Sequence, residues 1–153
     1  ISINGNLKYI SHKTKINKPK NKPSLMGLWI EKKRGISIIL LVLLAIEIFF
    51  ISSISGSKAE TKIPFIATAY HFIAFFLFSF FLFFSIKGSK KIRILHVIIT
   101  PVFAVIYAIS DEIHQSFVPL RNSSLSDVLI DSIGIIISII IAFFMSKKAN
   151  QGH

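Results

Sequence analysis

Four of the seven acidic residues fall between Asp111 and Asp131, in a stretch that also holds His114, Gln115 and Arg121. Carboxylates, an imidazole and a guanidinium close together offer a general base, a proton carrier and a grip for an anionic group. At about 100° per residue, Asp111 shares a helical stripe with Tyr107, His114 and Gln115, whereas Glu112 points about 100° away, toward the face of Val105 and Ala108. On the following helix Asp127, Asp131, Gly134 and Ser138 fall within about 60° of one another, a small and polar face suited to packing inward. Glu47 and His71 sit inside apolar runs, where an ionisable group costs roughly 2.5–3.5 kcal/mol on insertion scales and seldom faces lipid. Counted from the ends of those runs, both lie roughly 10–12 Å deep. Their matched depth on consecutive antiparallel helices makes a Glu47–His71 pair a candidate contact.

Each of these residues also has a plainer reading. Ser124-Leu-Ser-Asp127 has the spacing of a capping box, which would explain Asp127 without chemistry. Asp131 lies one turn too deep for a cap, leaving function or an ion pair with Arg121. Arg121 is most simply the partner of the loop acids, although an arginine beside a membrane also grips phosphate or carboxylate through two bonds. His71 either takes part in chemistry or hydrogen-bonds a neighbouring helix. Tyr107 and His96 suit interfacial and headgroup positions. There is no cysteine and no H-E-x-x-H run, so thiolate chemistry, zinc knuckles and iron–sulfur clusters are excluded. No metal or cofactor is expected; a carboxylate–imidazole set of Asp111, His114, Asp127 and Asp131 is the variant to weigh.

The elements that must position these groups follow from composition. The chain has 153 residues, of which 52% are hydrophobic and 16% charged, too apolar for an ordinary soluble domain. Its mean hydropathy is +0.67. Apolar residues gather in four blocks, roughly 36–54, 63–86, 92–109 and 128–145, each near the ~17–25 residues a helix needs to cross a bilayer. The expected fold is therefore an all-α integral membrane bundle of four transmembrane helices. Residues 1–35 read as a basic, disordered tail, 36–146 as the membrane domain, and 147–153 as a short tail. The run MGLWIEKKRG suggests Met26 as the native start, with residues 1–25 an upstream extension.

Within the spans, Glu47 and the length of the first run argue against a cleaved signal peptide at Ser57-Lys58-Ala59. The second span carries nine of the fifteen Phe residues, which points to lipid exposure over much of its circumference. The third tolerates Pro101 as a kink and continues beyond the apolar block, stopping before Pro119. Four spans place the N-terminus, the 87–93 loop and the C-terminus on one side, with fifteen Lys and Arg against three (Lys58, Lys62, Arg121) on the other. Both termini are thus expected in the cytoplasm, with the polar loop 110–127 at the outer face. The lysine tail lacks interleaved aromatics, so anionic lipid is the expected partner and nucleic acid is not.

The run from Tyr107 to Arg121, followed by Asp127, Asp131 and Gly134 and preceded by a histidine in the second span, resembles the signature of the VanZ-like family. The resemblance covers about residues 28–146. It matches Asp111, Glu112, Gln115, Arg121, Asp127 and Gly134 to the family's polar motif. Asp131 stands where Asn is more usual, Leu120 where Gly is frequent, and Ser138 where a second Gly is common. What it implies is a multi-pass protein of the bacterial cell membrane, associated with teicoplanin resistance. Two functions are open: an envelope factor that lowers glycopeptide susceptibility, or an integral-membrane hydrolase or transferase acting on a lipid or cell-wall intermediate. In the second, Asp111 or Glu112 would act as base and His71 or His114 would carry protons. His114, Gln115, Arg121, Asp127 and Asp131 form the binding set in either case. The ligand would be a membrane lipid, a lipid-linked cell-wall precursor or the glycopeptide itself. A small transporter is a weaker third reading, since four spans show no inverted repeat.

Overall fold

A computed structural model describes the backbone of residues 25–55, 64–88, 90–121 and 123–151, and side chains within 33–55, 65–88, 90–121 and 123–147. Four helices follow in order: α1 (Leu25–Ser53), α2 (Pro64–Lys87), α3 (Ile94–Gln115) and α4 (Leu125–Gln151). Each contains a segment long and apolar enough to cross a membrane: Lys33–Ser53, Phe65–Lys87, Ile94–Gln115 and Leu125–Lys147. The chain is an all-α, multi-pass membrane protein. Among the described residues, α2 and α3 touch each other and both remaining helices, while α1 and α4 do not meet. The cross-section is thus a rhombus with α2 and α3 on the short diagonal and α1 and α4 at opposite corners.

Several boundaries differ from the sequence reading. The basic segment is helical from Leu25 onward, because a helix already propagated through an apolar span extends easily into good helix formers. Residues 1–24, the Ser57–Ala59 run, Lys58 and Lys62 lie outside the described residues. The C-terminal segment from 147 continues α4 as far as Gln151. α3 runs on through Asp111, Glu112 and Gln115, ending well before Pro119.

The expected lipid exposure of the phenylalanine-rich span is not found. α2 is the most buried of the four spans and α1 the least. Phe75, Phe78 and Phe83 are core residues, and among the described α2 phenylalanines only Phe65, in the first turn, is exposed. A helix on the short diagonal has neighbours on most sides, so its rings fill volume between helices. Phe75, Phe78, Ile48, Ala74, Ala104, Ala108, Ile135 and Ile139 make the central cluster. Small residues let the backbones approach: a Cβ on Gly134 would stand 2.7 Å from the Phe72 carbonyl oxygen. Beside it, Ser79 and Ser138 hydrogen-bond across α2 and α4.

Helix ends are closed by side chains from neighbouring helices. Arg34 donates from Nε to the Ser85 carbonyl at 3.2 Å near the C-terminus of α2, where Gly88 turns the chain with φ +53°. At the start of α3 the closing group is its own: buried His96 accepts the Arg93 N–H at 3.0 Å. At the opposite end of the bundle, the turn after α3 forces Leu120 to φ 61°, the left-handed region that favours glycine. This is the position at which the VanZ-like pattern often has Gly.

Candidate polar site at one end of the bundle

The helix phases expected of α3 place its two adjacent acids on different neighbours. Asp111 faces α1, where its Oδ1 accepts from Ser52 Oγ at 2.5 Å and its Oδ2 from Gln115 Nε2 at 2.8 Å. Nearby, Ser53 Oγ and His114 Nε2 lie 3.0 Å apart, and the His114 ring stacks on Phe49 with centroids 4.8 Å apart. Tyr107 donates its hydroxyl to the Ala45 carbonyl at 2.8 Å. Arg121 completes this side, donating from Nη2 to Ile51 O at 2.5 Å and from Nε to Ile54 O at 3.3 Å. It therefore closes the C-terminus of α1, whose last carbonyls have no intrahelical donors. The ion pair between Arg121 and the loop acids is not formed among the described residues. Ser52 was not legible as a candidate; the available signal was a hydroxyl pair, Ser52–Ser53, at the end of an apolar run.

Glu112 faces the opposite corner. Its Oε2 accepts the backbone N–H of Ser124 at 2.8 Å, so α3 supplies the bond that Asp127 would make in a capping box. Ser124 does cap α4, but through the Ser126 N–H at 3.1 Å. Freed of the reciprocal bond, Asp127 converges with His71 and Glu112: one ligand-type atom of each lies within 4.8 Å of the others. Behind them Asp131, fully buried, brings Oδ1 to 3.3 Å from His71 Nδ1. The partner of His71 is Asp131 on α4, and the Glu47–His71 pair is not formed. Depth matched, but azimuth did not: Ile48 is buried in the core while its neighbour Glu47 is exposed on the outer side of α1.

The expected residues thus divide into two groups. Asp111, His114, Gln115 and Arg121 tie α3 and its following turn to α1. His71, Glu112, Asp127 and Asp131 converge from α2, α3 and α4. In the first group both oxygens of Asp111 are engaged, which disfavours it as a base. In the second, Glu112 Oε1 and both Asp131 oxygens are buried with no hydrogen-bond partner among the described residues. No Lys or Arg pairs with Glu112, Asp127 or Asp131 there. The expected metal set of Asp111, His114, Asp127 and Asp131 is not assembled, since Asp111 and His114 face α1. His71 is 5%, Glu112 5% and Asp131 0% exposed, whereas Asp127 is half-buried and opens the group toward the end of the bundle. A desolvated histidine among three acids is costly to keep, which makes this cluster the candidate site.

A small polytopic helical protein with an ionisable cluster at one end of its bundle is what fold and site together define. Residues 37–146 match the family model described as VanZ/LLP1, and the chain belongs to that family. No curated protein and no solved structure gives a significant match.

Proposed function

We propose that this protein acts at the outer leaflet of the bacterial cell membrane as an integral-membrane hydrolase or transferase on a lipid or cell-wall intermediate, with lowered susceptibility to teicoplanin-type glycopeptides as its cellular consequence. The observation that carries this reading is Glu112 Oε1, buried and without a hydrogen-bond partner among the described residues, beside the His71–Asp131 pair. A group held only for structure is normally satisfied. Glu112 is placed to take the proton of an attacking water or hydroxyl, and His71, oriented by Asp131, to pass a proton to the leaving group. Phe65, Phe117, Leu120 and Leu125, all strongly exposed near this end of the bundle, suit contact with acyl chains or the headgroup boundary. The same apolar rim favours the second reading, a factor that binds a lipid-linked precursor or the glycopeptide without turnover.

Lipid and muropeptide profiles separate the two. Cells lacking the protein, and cells carrying Glu112→Gln at equal membrane levels, should both accumulate one precursor species that wild-type cells consume. Identical profiles accompanied by a change in teicoplanin susceptibility would refute the enzymatic reading and leave the binder.

A further inference from the structure

We propose that His71, Glu112 and Asp127 bind a divalent transition-metal ion, such as Zn²⁺ or Mn²⁺, with Asp131 orienting the histidine. The proposal deepens the enzymatic reading, with Glu112 and His71 holding an ion that would acidify the attacking water in place of their acting directly as base and proton carrier, and rests on that reading only for its catalytic meaning. Three donors from three different helices place ligand-type atoms within 4.8 Å of one another. That convergence is built into the fold, since α2, α3 and α4 pack against one another and carry these donors at the same end of the bundle.

Independent of the spacing, the bonding around Glu112 and Asp131 is incomplete. Glu112 uses Oε2 on the Ser124 N–H and leaves Oε1 buried without a partner among the described residues. Asp131 is fully buried, and neither of its oxygens has a hydrogen bond there. Its Oδ1 stands 3.3 Å from His71 Nδ1. A carboxylate this close to one ring nitrogen is placed to orient the imidazole, as carboxylates behind metal-bound histidines do. Among the described residues no Lys or Arg pairs with these three acids and one imidazole, and a divalent cation would supply the positive charge that balances them. One imidazole with carboxylates and no thiolate suits Zn, Mn or Fe. The ion would polarise an anionic substrate group, a task for which Arg121, committed to the end of α1, is not placed.

The full-length protein, purified in detergent with an affinity tag free of histidine and stripped by chelator, is titrated with Co²⁺ and with Zn²⁺. Wild type should take up about one ion per chain, show visible Co²⁺ absorption bands and gain thermal stability on Zn²⁺ addition. Asp127→Asn, at a half-buried position that packing tolerates, should weaken Zn²⁺ binding at least about 10-fold, and Asp131→Asn about 10–100-fold. Glu47→Gln should bind as wild type does. Should His71→Gln fail to fold, Asp127→Asn still decides. Absence of uptake by wild type, or wild-type affinity in Asp127→Asn, overturns the proposal. Metal uptake with unchanged lipid profiles would leave the metal site standing and remove the enzymatic reading; altered profiles from a protein that takes up no metal would do the reverse.

Discussion

Asp111 and Glu112 are neighbours in sequence and serve opposite corners of the bundle. One ties α3 to Ser52 of α1, and the other reaches the first residues of α4. Helical phase alone separates them, so this division was legible in the sequence; the identities of their partners were not, because phase on one helix says nothing of which neighbour lies there. The same limit explains His71. Depth along α2 is countable, but its azimuth relative to α1 and α4 depends on the packing of the whole bundle. The His71–Asp131 contact has a direct test. Removing one member leaves the other desolvated and uncompensated, so His71→Gln and Asp131→Asn should each lower thermal stability in detergent. The double variant should lose less than the sum, with a coupling of about 0.5–3 kcal/mol. Glu47→Gln combined with His71→Gln should be additive, since Glu47 lies on the exposed side of α1. Additivity for His71 with Asp131, or coupling for His71 with Glu47, would contradict the geometry.

At the scale of elements, the contact between α2 and α4 decides whether the site assembles. His71 lies seven residues into α2 and Asp131 six residues beyond the start of α4, and the two helices are held together just below by Gly134 against Phe72. The small polar face of α4 was readable from spacing: Asp131, Gly134 and Ser138 are all buried, and Asp127 half-buried. The inward orientation of the α2 phenylalanines was not readable, because a helix apolar on all sides carries no periodic signal of which side faces lipid. Gly134→Ala should push these backbones apart and cost about 1–3 kcal/mol, as overpacking in a tight contact does. A Cβ on Gly35 meets nothing within 4 Å, so Gly35→Ala should leave stability unchanged or raise it. Thermal unfolding of both variants in one detergent checks the pair; equal, small effects would show that the close approach at Gly134 is relieved without cost.

For the molecule as a whole, the membrane character and the four spans were legible in composition and block length, which respond to the bilayer rather than to tertiary detail. Sidedness rests on charge. Lys33, Arg34, Lys87, Lys90, Lys91, Arg93 and Lys147 mark one end of the described bundle, and Arg121 alone marks the other. Positive loops are retained on the cytoplasmic side, so the end carrying His71, Glu112 and Asp127 should face outward. A site there would have access to the outer leaflet, as the proposed function requires; a site facing inward would not. The chain contains no cysteine, so single cysteines report position without background. Ser123 and Lys91 are both exposed, at opposite ends of the bundle. In intact cells an impermeant maleimide should label Ser123→Cys and leave Lys91→Cys unreacted until the membrane is opened. The reverse pattern would turn the site to the cytoplasm and withdraw every outer-leaflet substrate from it, whatever its residues bind.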